Sequence, residues 1–256
     1  MQKIILSGSS GFMGQTVAGL CAASDQQTIA AGIDICPGKN DGFVTYADPT
    51  QFDGEADVVI DFSHPSSLTS LLFYCTQRKL PLVLCTTGYS DQQLEEIRRA
   101  SAQIPIFRSA NMSLGINVLL ELCRQAALLL GRDWDIEIVE AHHRRKLDAP
   151  SGTALMLADG IAEVLEPKPQ YTYERESIRR PRERDEIGIS SIRGGTITGE
   201  HTVLFAGENE TLELHHSAQS RAVFAAGALR AAAYMGSVTE PGLYTMQDLV
   251  AAVLAK

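Results

Sequence analysis

Short, almost wholly apolar runs recur through the first part of the chain, each followed by apolar positions three and four apart. Lys3-Ile-Ile-Leu-Ser7 is such a run and leads into a glycine cluster, the pattern of a strand buried on both faces. Met13, Val17, Leu20 and Cys21 follow at helical spacing, and Thr28–Asp34 predicts a second strand. That alternation is a βαβ unit. Val58–Asp61 and Leu82–Thr86 predict further buried strands, with Leu68, Leu71, Leu72 and Cys75 on one side of a helix between them. Ser90 and Gln93 have the spacing of a capping box for a helix running toward Ser101, and Ile104–Phe107 adds another strand. A doubly wound parallel sheet is expected.

After about residue 112 the pattern changes. A helix is predicted from about Ser113 to Leu130, then a strand over Asp135–Ala141 whose first half alternates charged and apolar residues. A helix from Thr153 to about Leu165 stops before Pro167 and Pro169. Residues 171–188 are polar and strongly charged, and read as an exposed loop. Three strands then follow without intervening helices, Ile189–Arg193, Thr196–Phe205 and Glu210–Ser217, as in a mixed or antiparallel sheet. Arg221–Met235 and Met246–Leu254 are helical again. The expected fold is therefore α/β: a Rossmann-like parallel-sheet domain over 1–112 and 220–256, and a smaller α+β domain with a mixed or antiparallel sheet over 113–219.

Composition narrows the function classes. The chain has 45% apolar and 21% charged residues, the balance of an ordinary globular protein. Its net charge of −9 argues against nucleic acid as a partner. Interleaved Glu and Asp offset the arginines of 175–184, which read as a solvated loop. The five cysteines include no Cys-x-x-Cys pair, and Cys21, Cys75 and Cys123 fall on apolar helical faces as buried free thiols. The first residues begin a strand with no signal-peptide pattern, and no apolar run approaches ~18 residues. A cytoplasmic chain with no membrane partner is expected.

Gly8-Ser-Ser-Gly11-Phe-Met-Gly14 stands where the first strand turns into the first helix. Backbone can approach a pyrophosphate there, with the charge facing a helix N-terminus. The spacing differs from the usual dinucleotide fingerprint, and a tight structural turn is the plainer explanation. Asp34, about twenty residues on at the end of strand two, favours a nucleotide, because its carboxylate can accept from ribose hydroxyls. That carboxylate repels a 2′-phosphate. Ile35 follows it and Phe12 sits in the loop, neither of them basic, so NADH is expected over NADPH. Lys39 is a cation that could soften the preference. Cys85-Thr-Thr-Gly88 and Ser109-Ala-Asn-Met112 each follow a parallel strand at its C-terminal end, where open α/β sheets bind ligands. They are candidates for the nicotinamide end, though Thr-Thr-Gly also suits an ordinary turn.

Glu140-Ala-His-His-Arg-Arg-Lys-Leu-Asp-Ala-Pro-Ser-Gly-Thr-Ala154 gathers two imidazoles, three cations and a small-residue turn. Ser151, Gly152 and Thr153 read as a helix start with outward N–H groups. Together with Lys146 they could hold carboxylates beside a proton-transferring imidazole. His142 and His143, adjacent on a strand, would point to opposite sides. Arg144 and Arg145 read as solvent-facing. No metal is expected, since His142, His143, His215 and His216 fall as pairs on separate strands.

Here the residues resemble a known family. Glu140–Ala154 closely resembles the signature of bacterial dihydrodipicolinate reductases, also called 4-hydroxy-tetrahydrodipicolinate reductases, of lysine biosynthesis. The likeness extends to the Gly8–Gly14 loop, Asp61-Phe-Ser-His-Pro65, Thr86-Thr-Gly88, Asn111-Met-Ser-Leu-Gly-Ile-Asn117, Arg193-Gly-Gly and Gly199-Glu-His201. It implies a cofactor-binding Rossmann-like domain and an α+β domain that binds a cyclic imine dicarboxylate and assembles a homotetramer. By resemblance His142 donates the proton and Lys146 is the second catalytic residue, while His143, Gly152 and Thr153 contact substrate. The cofactor contacts so implied are Gly8, Ser9, Ser10, Gly11, Phe12 and Met13, with Asp34. Cys85, Thr86 and Thr87 join them in one loop, and Ser109, Ala110, Asn111 and Met112 in another. Cys85 stands where glycine is common, and Phe12 and Ile35 lack the basic groups of dual-cofactor members. A related NAD-dependent imine or amino-acid dehydrogenase, or a non-catalytic NAD-sensing protein, would share the first domain without reason to keep the histidine-lysine stretch.

Overall fold

The computed structural model of the chain describes residues 1–36, 42–177 and 179–255. Its contacts divide it into two units, Met1–Ser113 with Ala222–Lys256, and Leu114–Arg221. The first unit begins with β1 (Gln2–Ser7), α1 (Phe12–Ala22), β2 (Gln27–Ile33), β3 (Thr45–Tyr46) and β4 (Val58–Asp61). It continues through α2 (Leu68–Arg78), β5 (Leu82–Leu84), α3 (Asp91–Ser101) and β6 (Pro105–Arg108). The chain then runs through the second unit: α4 (Leu114–Leu130), β7 (Asp135–His142), α5 (Gly152–Ala162), β8 (Gln170–Thr172), β9 (Glu186–Arg193), β10 (Glu200–Ala206) and β11 (Thr211–Ser217). It returns to the first with α6 (Ala222–Met235), β12 (Gly242–Tyr244) and α7 (Met246–Leu254).

The first unit's sheet has the order β12-β6-β5-β4-β1-β2-β3, with every pair parallel. Ile4, Ile5 and Leu6 are fully buried, as are Val58, Val59 and Ile60. Successive strand residues face opposite sides, so the central strands are covered on both faces. Ile5, Val59, Leu82 and Ile106 share a core with Leu68, Leu71 and Cys75 of α2 and Ile97 of α3. The Ser90–Gln93 capping box forms as its spacing predicts. Strand order reverses between β1 and β4, which puts the glycine loop after β1 at the switch point of the sheet. The returning segment is packed tightly: a Cβ on Gly227 of α6 would lie 1.7 Å from the Met112 carbonyl oxygen.

The second sheet has the order β11-β10-β7-β9-β8, antiparallel across β11, β10 and β7 and parallel across β7, β9 and β8. One face packs on α4 and α5, where Ile136, Ile138, Val203 and Phe205 meet Leu119, Cys123, Leu157 and Ile161. Leu114–Asp133 is long and apolar enough to cross a membrane by length and composition alone, although Glu121 and Arg124 interrupt its apolar run. Ile116, Leu119, Leu120, Cys123 and Ala127 on it belong to this core.

Residues 171–188 differ from the expected exposed loop. Their ends lie in β8 and β9, and the arginines between them pair with carboxylates of the sheet. Arg175 bonds Glu186 and Glu137, both at 2.7 Å, Arg180 bonds Glu186 at 3.0 Å, and Arg182 pairs with Asp135. The bond from Arg175 leads the hydrogen bonds that hold the Glu186 carboxyl down at about 2. The two ends of the charged segment thus join the sheet, while 173–177 and 179–185 are a mostly exposed connection whose arginines pair with the sheet's carboxylates.

Candidate active site

In the first unit, the loop after β1 depends on glycine at two positions. Gly8 has φ +75°, and a Cβ on it would lie 2.5 Å from the Phe62 carbonyl oxygen behind β4. A Cβ on Gly14 would lie 2.2 Å from the Gly8 carbonyl oxygen. Gly11 caps α1 with no side-chain hydrogen bond, so the first turn of that helix keeps its donors for an anion. Ser9 is fully buried with its Oγ unpartnered. The Asp34 carboxylate accepts the Ser10 N–H at 3.0 Å and the Cys36 N–H at 3.0 Å, which ties the end of β2 to the glycine loop. Phe12 and Ile35 beside it are 69% and 87% exposed. Lys39 lies outside the described residues.

Cys85, Thr86 and Thr87 follow β5, and Ser109, Ala110, Asn111 and Met112 follow β6, so these loops share the C-terminal edge of the parallel sheet with the Gly8–Met13 loop. Buried Asp61, at the same edge, accepts from Ser63 Oγ at 2.5 Å and Thr86 Oγ1 at 2.8 Å. Burial first, and then the Asp61 charge, push the Cys85 thiol well up and keep it protonated. Asn111 Oδ1 accepts the Ser113 N–H at 2.8 Å. An open helix start, a carboxylate at the end of the second strand and a close-packed glycine turn are the features that fit a dinucleotide.

In the second unit, the core face of the sheet changes character along β7, from Ile136 and Ile138 to Glu140 and His142. Glu140 is fully buried and His142 is 9% exposed. Arg193 Nη1 donates to Glu140 Oε2 at 2.8 Å and Nη2 to Oε1 at 2.7 Å, while His142 Nδ1 lies 2.5 Å from Oε2. Burial pushes the Glu140 carboxyl up, but bonds from Arg193, Ser191 and His142 outweigh it and bring it down to about 2. His201, opposite Glu140 on β10, stacks edge-on to His142 with ring centres 5.2 Å apart. Burial, and then the neighbouring His142, push His201 down to about 3, so it is neutral at ordinary pH.

Beyond His142 the chain leaves the strand. His143 lies outside β7, so its direction is set by the turn and not by strand alternation as expected. Arg144 and Arg145 are exposed. Lys146 Nζ pairs with Asp148 Oδ2 at 2.9 Å, and its charge is among those lowering His201. Arg193 Nη2 also donates to the Asp148 carbonyl at 2.7 Å, which links the Lys146 turn to Glu140. Ser151 caps α5: its Oγ accepts the Ala154 N–H at 3.2 Å and lies 3.1 Å from His201 Nε2. Open space surrounds Gly152 where a Cβ would stand. Thr153 completes the first turn of α5, half-buried beside it. Four buried nitrogens of this sheet end lack a partner, His143 Nδ1, Arg193 Nε, His201 Nδ1 and His216 Nδ1. His215 turns away and bonds Thr202 Oγ1 at 2.8 Å. Among the described residues no group of three or more His, Cys, Asp or Glu could hold a metal ion.

His142, Lys146 and the Ser151–Thr153 turn are thus brought together at one end of the second sheet. Sequence reasoning assigned no role to Glu140, Arg193 or His201. One local signal was available: Glu140 stands two residues before His142 on a strand and therefore shares its face.

Two family models match, described as dihydrodipicolinate reductase, N-terminus, over residues 2–112, and dihydrodipicolinate reductase, C-terminus, over residues 115–250. The 4-hydroxy-tetrahydrodipicolinate reductase of Caldanaerobacter subterraneus subsp. tengcongensis is 50% identical over 250 residues, covering 98% of each chain. That of Clostridium tetani is 48% identical over 250 residues, covering 98% of this chain and 97% of its own. The fold is that of the dipicolinate-bound dihydrodipicolinate reductase of Paenisporosarcina sp. TG-14, with a TM-score of 0.82 at 24% identity, covering 98% of this chain and 99% of that one. With both units matched and the likeness running nearly end to end, the chain belongs to the dihydrodipicolinate reductase family.

Proposed function

We propose that the protein reduces 4-hydroxy-tetrahydrodipicolinate, by way of dihydrodipicolinate, to tetrahydrodipicolinate in the lysine and diaminopimelate pathway. The observation that carries this reading is the clustering of His142, Lys146 and the Ser151–Thr153 helix start, in a chain sharing half its residues with a reductase of that name. Gly8–Met13, Asp34, Cys85–Thr87 and Ser109–Met112 would hold the dinucleotide, and reduced nicotinamide bound there supplies the hydride. Lys146 and the N–H groups at the start of α5 hold the substrate carboxylates, with His143 beside them. Hydride addition to the conjugated imine leaves electron density on the ring. His142 then gives its Nε2 proton to a ring carbon, and solvent restores the imidazolium.

NADH is the better cofactor in this reading, because Asp34 is held in place by two backbone N–H groups and opposes a 2′-phosphate. Exposed Phe12 and Ile35 bring no cation to offset it. The protein works as a homotetramer, and half-exposed Val139 and Ile192, on the sheet face away from α4 and α5, suit burial between copies. Its five unpaired thiols suit the cytoplasm. The test is loss of reduced-nicotinamide absorbance with freshly generated hydroxy-tetrahydrodipicolinate, run with NADH and NADPH side by side. The expected result is turnover with both and a higher kcat/KM with NADH. No turnover removes the reductase reading, and a much higher kcat/KM with NADPH removes the cofactor preference.

A further inference from the structure

Glu140 carries no part of the reaction proposed above, yet both its oxygens are bonded. It is a fully buried anion. Burying a charge is costly unless partners compensate it. Both of its oxygens are compensated. Oε1 accepts from Arg193 Nη2 at 2.7 Å and from the Ser151 N–H at 3.1 Å. Oε2 accepts from Arg193 Nη1 at 2.8 Å and faces His142 Nδ1 at 2.5 Å. An ionised carboxylate has no hydrogen to give, so Nδ1 must carry the one between them. When imidazole is neutral, that leaves the lone pair on Nε2.

The other side of the ring is shaped to match. A Cβ on Gly199 would lie 3.1 Å from His142 Nε2, so the glycine keeps that nitrogen clear. His201 braces the ring edge-on at 5.2 Å and also meets Ser151 Oγ. We propose that Glu140, locked by Arg193, is a positioning residue that fixes the Nδ1–H form of His142 and ties it to the start of α5. Nε2 is then the nitrogen that delivers the proton, and the acid and the carboxylate-binding turn share one anchor. This rests on the reading of His142 as the acid. The proton balance closes without Glu140. Imidazolium loses its Nε2 proton to the ring carbon, keeps Nδ1–H on the carboxylate, and regains a proton at Nε2 from water. Arg193 keeps the carboxylate ionised throughout, so the pair does not exchange the proton internally.

Two measurements test this. Nitrogen-15 spectra of the imidazoles in the unmutated protein, with His142 assigned by its loss in H142Q, should show Nδ1 protonated and Nε2 bare above the ring's pKa. An Nε2–H tautomer there overturns the proposal. E140Q keeps the size of the side chain and removes its charge. It should lower kcat by ~10–100-fold with a smaller change in KM, and the Nε2–H form of His142 should appear in its spectrum. A reduced kcat with the Nδ1–H form kept unchanged would mean a merely structural role and also overturns the proposal. The spectrum decides even if E140Q does not fold. It also separates this idea from the reductase assignment, since it reads the ring with no substrate present.

Discussion

The two units build their candidate binding regions from different materials. The first uses backbone: Gly8 and Gly14 are held so closely to carbonyl oxygens that no side chain fits, and Asp34 spends both carboxylate oxygens on backbone N–H groups. The second uses buried side chains, with Glu140, Arg193, His142 and His201 tied through charge and hydrogen bonds. A backbone cradle recognises a shape and has almost nothing to titrate. A buried ionic cluster responds to every proton. The difference teaches that damage to the first should appear as lost affinity, and damage to the second as lost rate and altered pH dependence.

The largest effect is expected at His142. H142Q should lower kcat by ~10²–10⁴-fold, the usual scale for a lost general acid, while dinucleotide binding stays intact. Steady-state kinetics beside a fluorescence titration with NADH would show this, and an undiminished kcat would sink the assignment. Next come paired glycine substitutions. G14A puts a Cβ 2.2 Å from the Gly8 carbonyl oxygen and should weaken NADH binding by roughly tenfold or more, since relieving such a clash distorts the loop. G152A meets nothing within 4 Å, so NADH affinity and melting temperature should hold while substrate KM rises. Equal losses of NADH affinity in both would erase the contrast between the units.

The smallest effect is thermodynamic. Folded His201 stays neutral down to about 3, whereas the unfolded chain takes up that proton near the ordinary 6.5. The unfolded state therefore binds more protons between those values, and stability falls as pH drops through them by up to ~1.4 kcal/mol per unit. Glu140 acts in a lower window: its contribution is full above its ordinary 4.5 and is lost as pH falls toward about 2. H201N should therefore flatten the melting-temperature curve between about pH 6.5 and 4.5 and leave the steeper loss below it. Parallel curves for the two proteins would show that His201 is not buried neutral.

Most of the first unit was legible because its strands carry their own signal. Val58–Ile60 is an unbroken apolar run, and the Ser90–Gln93 box announces α3. β3 and β12 were not legible, since two or three residues cannot display a period and their pairing with β2 and β6 supplies the order. In the second unit, β8 and the start of β9 lay hidden in charged sequence, because sheet-edge arginines and glutamates look like loop until partners such as Glu137 and Glu186 are known. β10 begins at Glu200, not Thr196, as 194–199 form the connection. The Glu140–Ala154 stretch was readable as a candidate site from its residue types. Its anchor was not, because Arg193 reaches Glu140 from 53 residues away, and His201 meets Ser151 from 50.

The return of α6, β12 and α7 to the first sheet has a consequence for how the chain is made. The second unit is one continuous stretch, Leu114–Arg221, whereas the first is interrupted by it. On a ribosome, all five strands of the second sheet emerge before the first unit has its last edge strand. Until Tyr244 is out, β6 is an open edge, and the Met112 carbonyl waits for Gly227. The unit that carries the glycine loop begins first and finishes last, so nascent chains should fold Leu114–Arg221 before the first unit is complete.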